Sequence, residues 1–190
     1  STNWKNDVER VKEVRNAVGP DIELMADINQ ALEPKQAIQL GKQLEEYDLL
    51  WLEEPVASNN REGHAEVRSA LATPIASGEN EYSLSGMREI IEAKACDILM
   101  PDLQRIGGIS EMRKVANLAE SHNLPISTHI FTEHSLSVAG SVTNCLSVEH
   151  MPWFSKLFNE QIYVINGYID IPERPGTGFT FNESYIKLIN

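Results

Sequence analysis

Six short apolar runs return along this 190-residue chain, with room for one helix between successive runs, and each run has an ionisable residue at or next to its end. The runs are Ile22 to Ile28 with Asp27 inside it, Leu49 to Glu53, Pro74 to Glu79, Asp97 to Asp102, Pro125 to His129, and Leu146 to Glu149. Strands alternating with helices specify an α/β fold with a parallel sheet joined by right-handed crossovers. An open doubly wound sheet and a barrel share that rhythm. They differ at the strand ends: an open sheet gathers ligands at one switch point, whereas a barrel brings every carboxyl end to one mouth. Six polar ends, Asp27, Glu53, Glu79, Asp102, His129 and Glu149, favour the barrel.

The intervening segments carry helical signals. Val8, Val11, Val14 and Val18 fall at helical spacing over residues 6–18, with Gly19-Pro20 as the stop. Pro34 suits a first helical turn and opens a helix through Tyr47. A helix is expected over 61–71, and Ser83 is expected to cap another running to Ala95. Gly107-Gly108 turns into a helix ending near His122-Asn123, and a last one spans Glu133 to Val142. After residue 155 the rhythm breaks. Asn166-Gly167 lies between two alternating runs from Tyr163 to Asp170, a hairpin signal, and a loop rich in Pro and Gly leads to a short tail.

Composition excludes several classes. A 42% apolar and 23% charged chain is ordinary for a globular protein, and no apolar run nears the roughly 18 residues a membrane helix needs. With no signal-peptide layout at its amino terminus, a cytoplasmic protein is expected, without membrane partners. The net charge of −12 argues against nucleic acid. Cys96 and Cys145, in apolar stretches without a CxxC partner, are expected as buried free thiols.

Asp27, Glu53 and Glu79 are spaced at equal intervals of 26 residues. On consecutive barrel strands they would face one another, and two like charges 4 Å apart repel by about 4 kcal/mol at an effective dielectric of 20. Such a cluster calls for a cation, and an all-oxygen donor set favours Mg²⁺ or Mn²⁺ over Zn²⁺. Strand alternation allows only one of Glu53 and Glu54 into a common site. On the next two strands, the Asp102 carboxylate can hold one nitrogen of His129 and leave the other basic. Glu149 could be a carboxyl kept protonated by its surroundings. His64, His122, His134 and His150 lack any such setting and are expected to be structural or on the surface.

The stretches Met25-Ala26-Asp27-Ile28-Asn29-Gln30, Trp51-Leu52-Glu53-Glu54-Pro55, Ser77-Gly78-Glu79-Asn80, Met100-Pro101-Asp102 with Gly107-Gly108, Ser127-Thr128-His129 and Glu149 resemble, in order and spacing, the mandelate racemase subgroup of the enolase superfamily. The segment from Glu149 to Gln161 is similar to acid-sugar dehydratases of the galactarate and talarate type. The resemblance implies a TIM-type β/α barrel in which Asp27, Glu53 and Glu79 bind Mg²⁺. It implies that His129 with Asp102 is the general acid/base, and that Asn29 and Glu149 contact a small carboxylate substrate. The implied chemistry is removal of the proton α to a carboxylate, giving an enediolate held by Mg²⁺ and Glu149, then loss of a β-hydroxyl from an acid sugar. A racemase or epimerase of the same superfamily is the alternative.

The chain departs from the family in one respect. The family carries a Lys-x-Lys motif on the strand before that of Asp27, and Lys5 and Lys12 do not stand at a strand end. The expectation is therefore the carboxy-terminal six strand-helix units of an eight-stranded barrel over residues 1–155. Residues 156–190 would be a hairpin and tail that pack on an absent amino-terminal cap. A catalytically incomplete piece that only binds metal or self-associates is a third reading, and open strand edges point to a homo-oligomer.

Overall fold

The computed structural model describes residues 4–186. Six strands, β1 (Leu24–Asp27), β2 (Leu49–Glu53), β3 (Ile75–Ser77), β4 (Ile98–Leu99), β5 (Ile126–Thr128) and β6 (Cys145–Val148), form one parallel sheet whose spatial order equals the sequence order. A doubly wound sheet must reverse its order at a switch point, so this order decides for six consecutive units of a β/α barrel. Four of the strands, β1, β3, β4 and β5, are shorter than their apolar runs. Pairing ends early because Glu79, Asp102, His129 and Glu149 lie beyond the regular ladder, in the loops that leave it. Only an isolated bridge between Asp102 and His129 continues the pairing of β4 with β5.

Helices fill the crossovers: α1 (Trp4–Val18), α2 (Pro34–Leu44), α3 (Arg61–Ala70), α4 (Ser83–Glu92), α5 (Leu103–Ile106), α6 (Ile109–Ser121) and α7 (Thr132–Ala139). Where α1 ends, the Arg15 guanidinium spreads over four carbonyls, of Gly19 at 3.0 Å, Ile22 at 2.6 Å, Tyr47 at 2.9 Å and Asp48 at 2.8 Å. One cation thus satisfies the oxygens of two neighbouring loops. Pro34 opens α2 as expected, behind an extended Glu33 that forms a capping box with Gln36. Beyond Leu44 the chain tightens into a 3₁₀ turn, Glu45–Tyr47. Asn60 caps α3 by accepting the Gly63 N–H at 2.9 Å. Ser83 does not cap α4: it occupies the first helical position with φ +62°, and Tyr82 precedes it with no side-chain cap bond. Between Asp102 and Gly107 the chain adds the single turn α5, then reaches α6 through Gly107 and Gly108 at φ +104° and +95°.

Register and alternation sort the sheet's two faces. Leu52 pairs with Ile75, Ser77 with Leu99 and Leu99 with Ile126, and this face packs under the helices. The opposite face carries Asp27, Glu53, Ala76 and Ile98 in one row, with Trp51 and Met100 buried beside them. The helix-side core is divided. One cluster gathers Leu40, Leu44, Leu52, Val56, Val67 and Ile75 around α2, α3 and the first strands. The other gathers Met87, Ile91, Leu99, Met112, Val115, Ile126 and Val138 around α4, α6 and α7.

The tail folds back on the sheet-helix body. Phe158, 2% exposed, packs at 6.3 Å from Phe131 and 5.4 Å from His134, with Phe179 and Phe181 against it. Glu160 clasps the returning chain by accepting the Thr180 N–H at 2.6 Å and the Arg174 guanidinium at 3.0 Å. Asn166 and Gly167, at φ +51° and +82°, form the expected tight turn, but only Ile165 and Tyr168 pair across it. Flanking side chains that bury nothing explain this, since an isolated hairpin is marginal in water and Tyr163, Val164 and Tyr168 stay exposed. Both cysteines are free, Cys96 buried and Cys145 only partly so. Among the described residues no helix is long and apolar enough to cross a membrane.

Candidate active site

The row of strand ends begins with Asp27, whose Cα pairs with that of Glu53. The chain turns at once after β1, with Asn29 at φ +48° and Gln30 at φ +63°. That turn folds Asn29 back over the Asp27 carboxylate, its backbone N–H donating to Oδ1 at 2.7 Å and its Nδ2 to Oδ2 at 3.2 Å. Asn29 therefore holds Asp27, a contact distinct from the substrate role expected of it. Two residues apart on one face of β2, the Trp51 indole N–H donates to Glu53 Oε2 at 3.2 Å. Burial is the main force on the Glu53 carboxyl, pushing its pKa up to about 8; the Trp51 N–H opposes this, while the charges of Asp27, Glu79 and Glu149 add to it.

The third strand end is the most connected. Asn80 Nδ2 donates to Glu79 Oε1 at 3.1 Å and to Glu54 Oε2 at 2.8 Å. Arg105 donates from Nη1 to the Glu79 carbonyl at 2.6 Å and to Asn80 Oδ1 at 3.0 Å. The other oxygen of Glu79, Oε2, lies 3.3 Å from His129 Nε2. His129 Nδ1 is in turn 2.7 Å from Asp102 Oδ2, so the imidazole is held between two carboxylates. Asp102 is 2% exposed, and its Oδ1 accepts the N–H groups of Gln104 and Arg105 at the start of α5.

Burial opposes charge on both members of this pair and is outweighed. Against it, the bond to His129 and the α5 amides hold the Asp102 carboxyl below the ordinary range. Asp102, Glu79 and Glu149 likewise hold the His129 ring above its ordinary value despite burial. The pair is a carboxylate fixing an imidazole, the arrangement of a tuned acid/base. Glu149 faces the same mouth and accepts the Ile130 N–H on Oε2 at 3.1 Å.

Six polar ends therefore share one rim, and three of them, Glu79, His129 and Asp102, touch in series. Among the described residues, no three His, Cys, Asp or Glu side chains close on a common point as a finished metal cage. The reason is visible in their partners: Asp27 is turned onto Asn29, Glu53 onto Trp51, and Glu79 onto Asn80 and His129. The donor chemistry nevertheless suits a hard divalent cation. A half-buried carboxyl driven to about 8 by burial and by three other carboxylates marks more negative charge than the site holds comfortably on its own.

Sequence reasoning passed over three participants. Glu54 was expected to point away by alternation, but its backbone turns at φ +36°, and its side chain, 1% exposed, reaches Asn80. Burial, then the charge of Glu79, lifts its carboxyl to about 7. The spacing of Glu54 and Asn80 repeats the 26 residues between Glu53 and Glu79, a signal that could have found the pair. Arg105 follows Asp102 by three residues, where a one-turn helix brings it back over the rim. The other histidines stay outside: His64 is on the buried face of α3, His134 lies in the aromatic cluster, His122 ends α6, and His150 sits 3.2 Å from Thr132 Oγ1.

Comparison with known proteins adds family context to this geometry. The sequence profile of the family described as enolase C-terminal domain-like matches residues 1–185. The chain is 37% identical over 181 residues to L-talarate/galactarate dehydratase of Salmonella typhimurium, covering 95% of this chain and 46% of that protein. It is 38% identical over 184 residues to D-xylonate dehydratase of Haloferax volcanii, covering 92% and 45%. The structure of L-talarate dehydratase from Polaromonas, complexed with Mg and L-glucarate, superposes with a TM-score of 0.92 at 36% identity, covering 96% of this chain and 51% of that one. A racemase from Streptomyces coelicolor with bound magnesium superposes with a TM-score of 0.91 at 29% identity, over 96% and 51%. The chain spans about half the length of the curated relatives it matches.

Proposed function

The chain belongs to the enolase C-terminal domain-like family, and on that footing we propose that its strand-end cluster serves Mg²⁺-dependent removal of the proton α to a carboxylate, in the dehydration of an acid sugar. The observation that carries this reading is the clamp on His129. With Nδ1 committed to Asp102 at 2.7 Å, Nε2 is the nitrogen left to take a proton, and it looks toward the carboxylates of the rim.

In this reading Asp27, Glu53 and Glu79 would hold the metal, and Asn29, bonded to both oxygens of Asp27, would keep it in register. Bound there, Mg²⁺ would supply the positive charge that makes so weak a carbon acid ionisable. His129 Nε2 takes the α-proton, and Asp102 stabilises the imidazolium that forms. Glu149, across the rim, bonds the substrate carboxylate. The imidazolium then gives its proton to the departing β-hydroxyl: the C–O bond breaks, water leaves, and the resulting enol ketonises to a 2-keto-3-deoxy acid. Dehydratases such as those of Salmonella and Haloferax support the acid-sugar class. The Streptomyces racemase supports a second outcome, return of the proton to the α-carbon with racemisation or epimerisation.

Two measurements test the proposal. Calorimetric titration with Mg²⁺ should show binding by wild type and at least a tenfold loss in Glu53→Gln; equal affinity would remove Glu53 from the site. Incubation of a panel of aldarates and aldonates in D₂O should give α-deuteration or a 2-keto-3-deoxy product, lost in His129→Asn. Exchange that survives His129→Asn would overturn the assignment of the base.

A further inference from the structure

From the bonds around Asn80 we infer that Asn80 and Arg105 are positioning residues that set the Glu79 carboxylate between the metal and His129. The inference rests on the reading of Glu79 as a metal ligand. A carboxylate serving both a cation and a neighbouring imidazole must present a given oxygen to each, and rotation about its own side-chain bonds would exchange them. Glu79 is denied that freedom. Its Oε1 accepts from Asn80 Nδ2 at 3.1 Å while its Oε2 faces His129 Nε2 at 3.3 Å.

Asn80 can serve only because its amide is itself oriented on both sides. Its oxygen accepts from Arg105 Nη1 at 3.0 Å, and its nitrogen donates to Glu54 Oε2 at 2.8 Å as well as to Glu79. A flipped amide would set an oxygen against two carboxylates and an N–H₂ against a guanidinium, so the network permits one orientation. Glu54 is a fixed anchor for the nitrogen, because it is 1% exposed.

Arg105 adds a second function. Its side chain holds the Glu79 carbonyl at 2.6 Å, with Nη1 3.9 Å from Glu79 Oε1, while its backbone N–H holds Asp102 Oδ1 at 2.9 Å. The same residue thus ties the β3 end, which carries Glu79, to the β4 end, which carries the partner of His129. Movement of either relative to the other must break a bond to Arg105.

The test compares wild type, Asn80→Ala, Arg105→Met and Glu53→Gln by Mg²⁺ calorimetry, thermal melting, and crystal structures of the metal-free proteins. Loss of a group that orients a metal ligand typically costs 10–100-fold in affinity. Asn80→Ala and Arg105→Met should weaken Mg²⁺ by about that factor while still melting cooperatively. In their metal-free structures Glu79 Oε2 should leave His129 Nε2. A lowered melting temperature with wild-type Mg²⁺ affinity and an unmoved Glu79 would make both residues merely structural and overturn the inference. If wild type binds no Mg²⁺, the functional reading falls, and the position of Glu79 in the variant structures still decides whether Asn80 and Arg105 hold it.

Discussion

Replacing Gly78 by Ala should cost more than its single methyl group suggests. Gly78 joins β3 to Glu79 and sits at φ +135°, a conformation in which a side chain is strained by about 1–3 kcal/mol. A Cβ there would also meet the backbone N and O of Met100, both at 3.2 Å, and Leu99 Cδ1 at 3.4 Å. Met100 cannot give easily, since its N–H donates to the Ser77 carbonyl at 2.9 Å in the adjoining rung. Strain and crowding together come to about 2–4 kcal/mol, or a fall of roughly 5–15 °C in melting temperature for a chain of this size. Gly19→Ala separates the two causes. Gly19 has φ +83° with no heavy atom within 4 Å of the added carbon, so it should lose only the roughly 1–2 kcal/mol of the left-handed backbone. Calorimetric melting of both variants beside wild type is the assay. If Gly78→Ala loses no more than Gly19→Ala, the tight approach of β3 to β4 contributes nothing and the reasoning fails.

Met112→Ala, at a fully buried site in the α6 cluster, should destabilise by about 2–5 kcal/mol in urea unfolding, and a loss under 1 kcal/mol would contradict the packing described. The Glu160 carboxyl is held below its ordinary value, first by the Thr180 N–H and further by the Thr180 hydroxyl and Arg174. A depressed carboxyl stabilises above its unfolded pKa and loses that contribution as pH falls through the folded one. Hydrogen exchange at the Thr180 amide should therefore accelerate below about pH 4 relative to neighbouring amides, and this acid sensitivity should vanish in Glu160→Gln. The β1 and β6 edges are unpaired within the sheet, and Leu146 on β6 and Tyr168 beside it lie exposed, so sedimentation should show self-association; a monodisperse monomer at about tens of micromolar would count against it.

The strand-helix alternation was legible in the sequence because it is carried by apolar runs and by prolines and glycines whose backbone preferences are local. β2, Leu49–Glu53, appears with the bounds its apolar run suggests, and Pro34 opens α2 where its missing N–H does no harm. The contact of Asp102 with His129 follows from neighbouring strand ends. What escaped depends on backbone turns that residue types announce poorly. Glu54 at φ +36° defeats simple alternation, and Ser83 at φ +62° starts a helix that it was expected to cap. The Asn80–Arg105 bond joins residues 25 positions apart, a meeting set by the packing of the crossovers rather than by any local pattern.

Two separate apolar clusters beneath a single row of side chains give this chain a seam. Asp27 and Glu53 end strands backed by the first cluster, Asp102 and His129 follow strands backed by the second, and the link between β3 and β4 crosses the divide. Each half is a candidate cooperative unit, able to open with its own free energy. A ligand gripping both sides binds only when both are closed, so its binding energy is shared by mass action between two unfolding equilibria. Occupancy of the rim would then couple the two halves more tightly, raising the melting temperature and sharpening the transition.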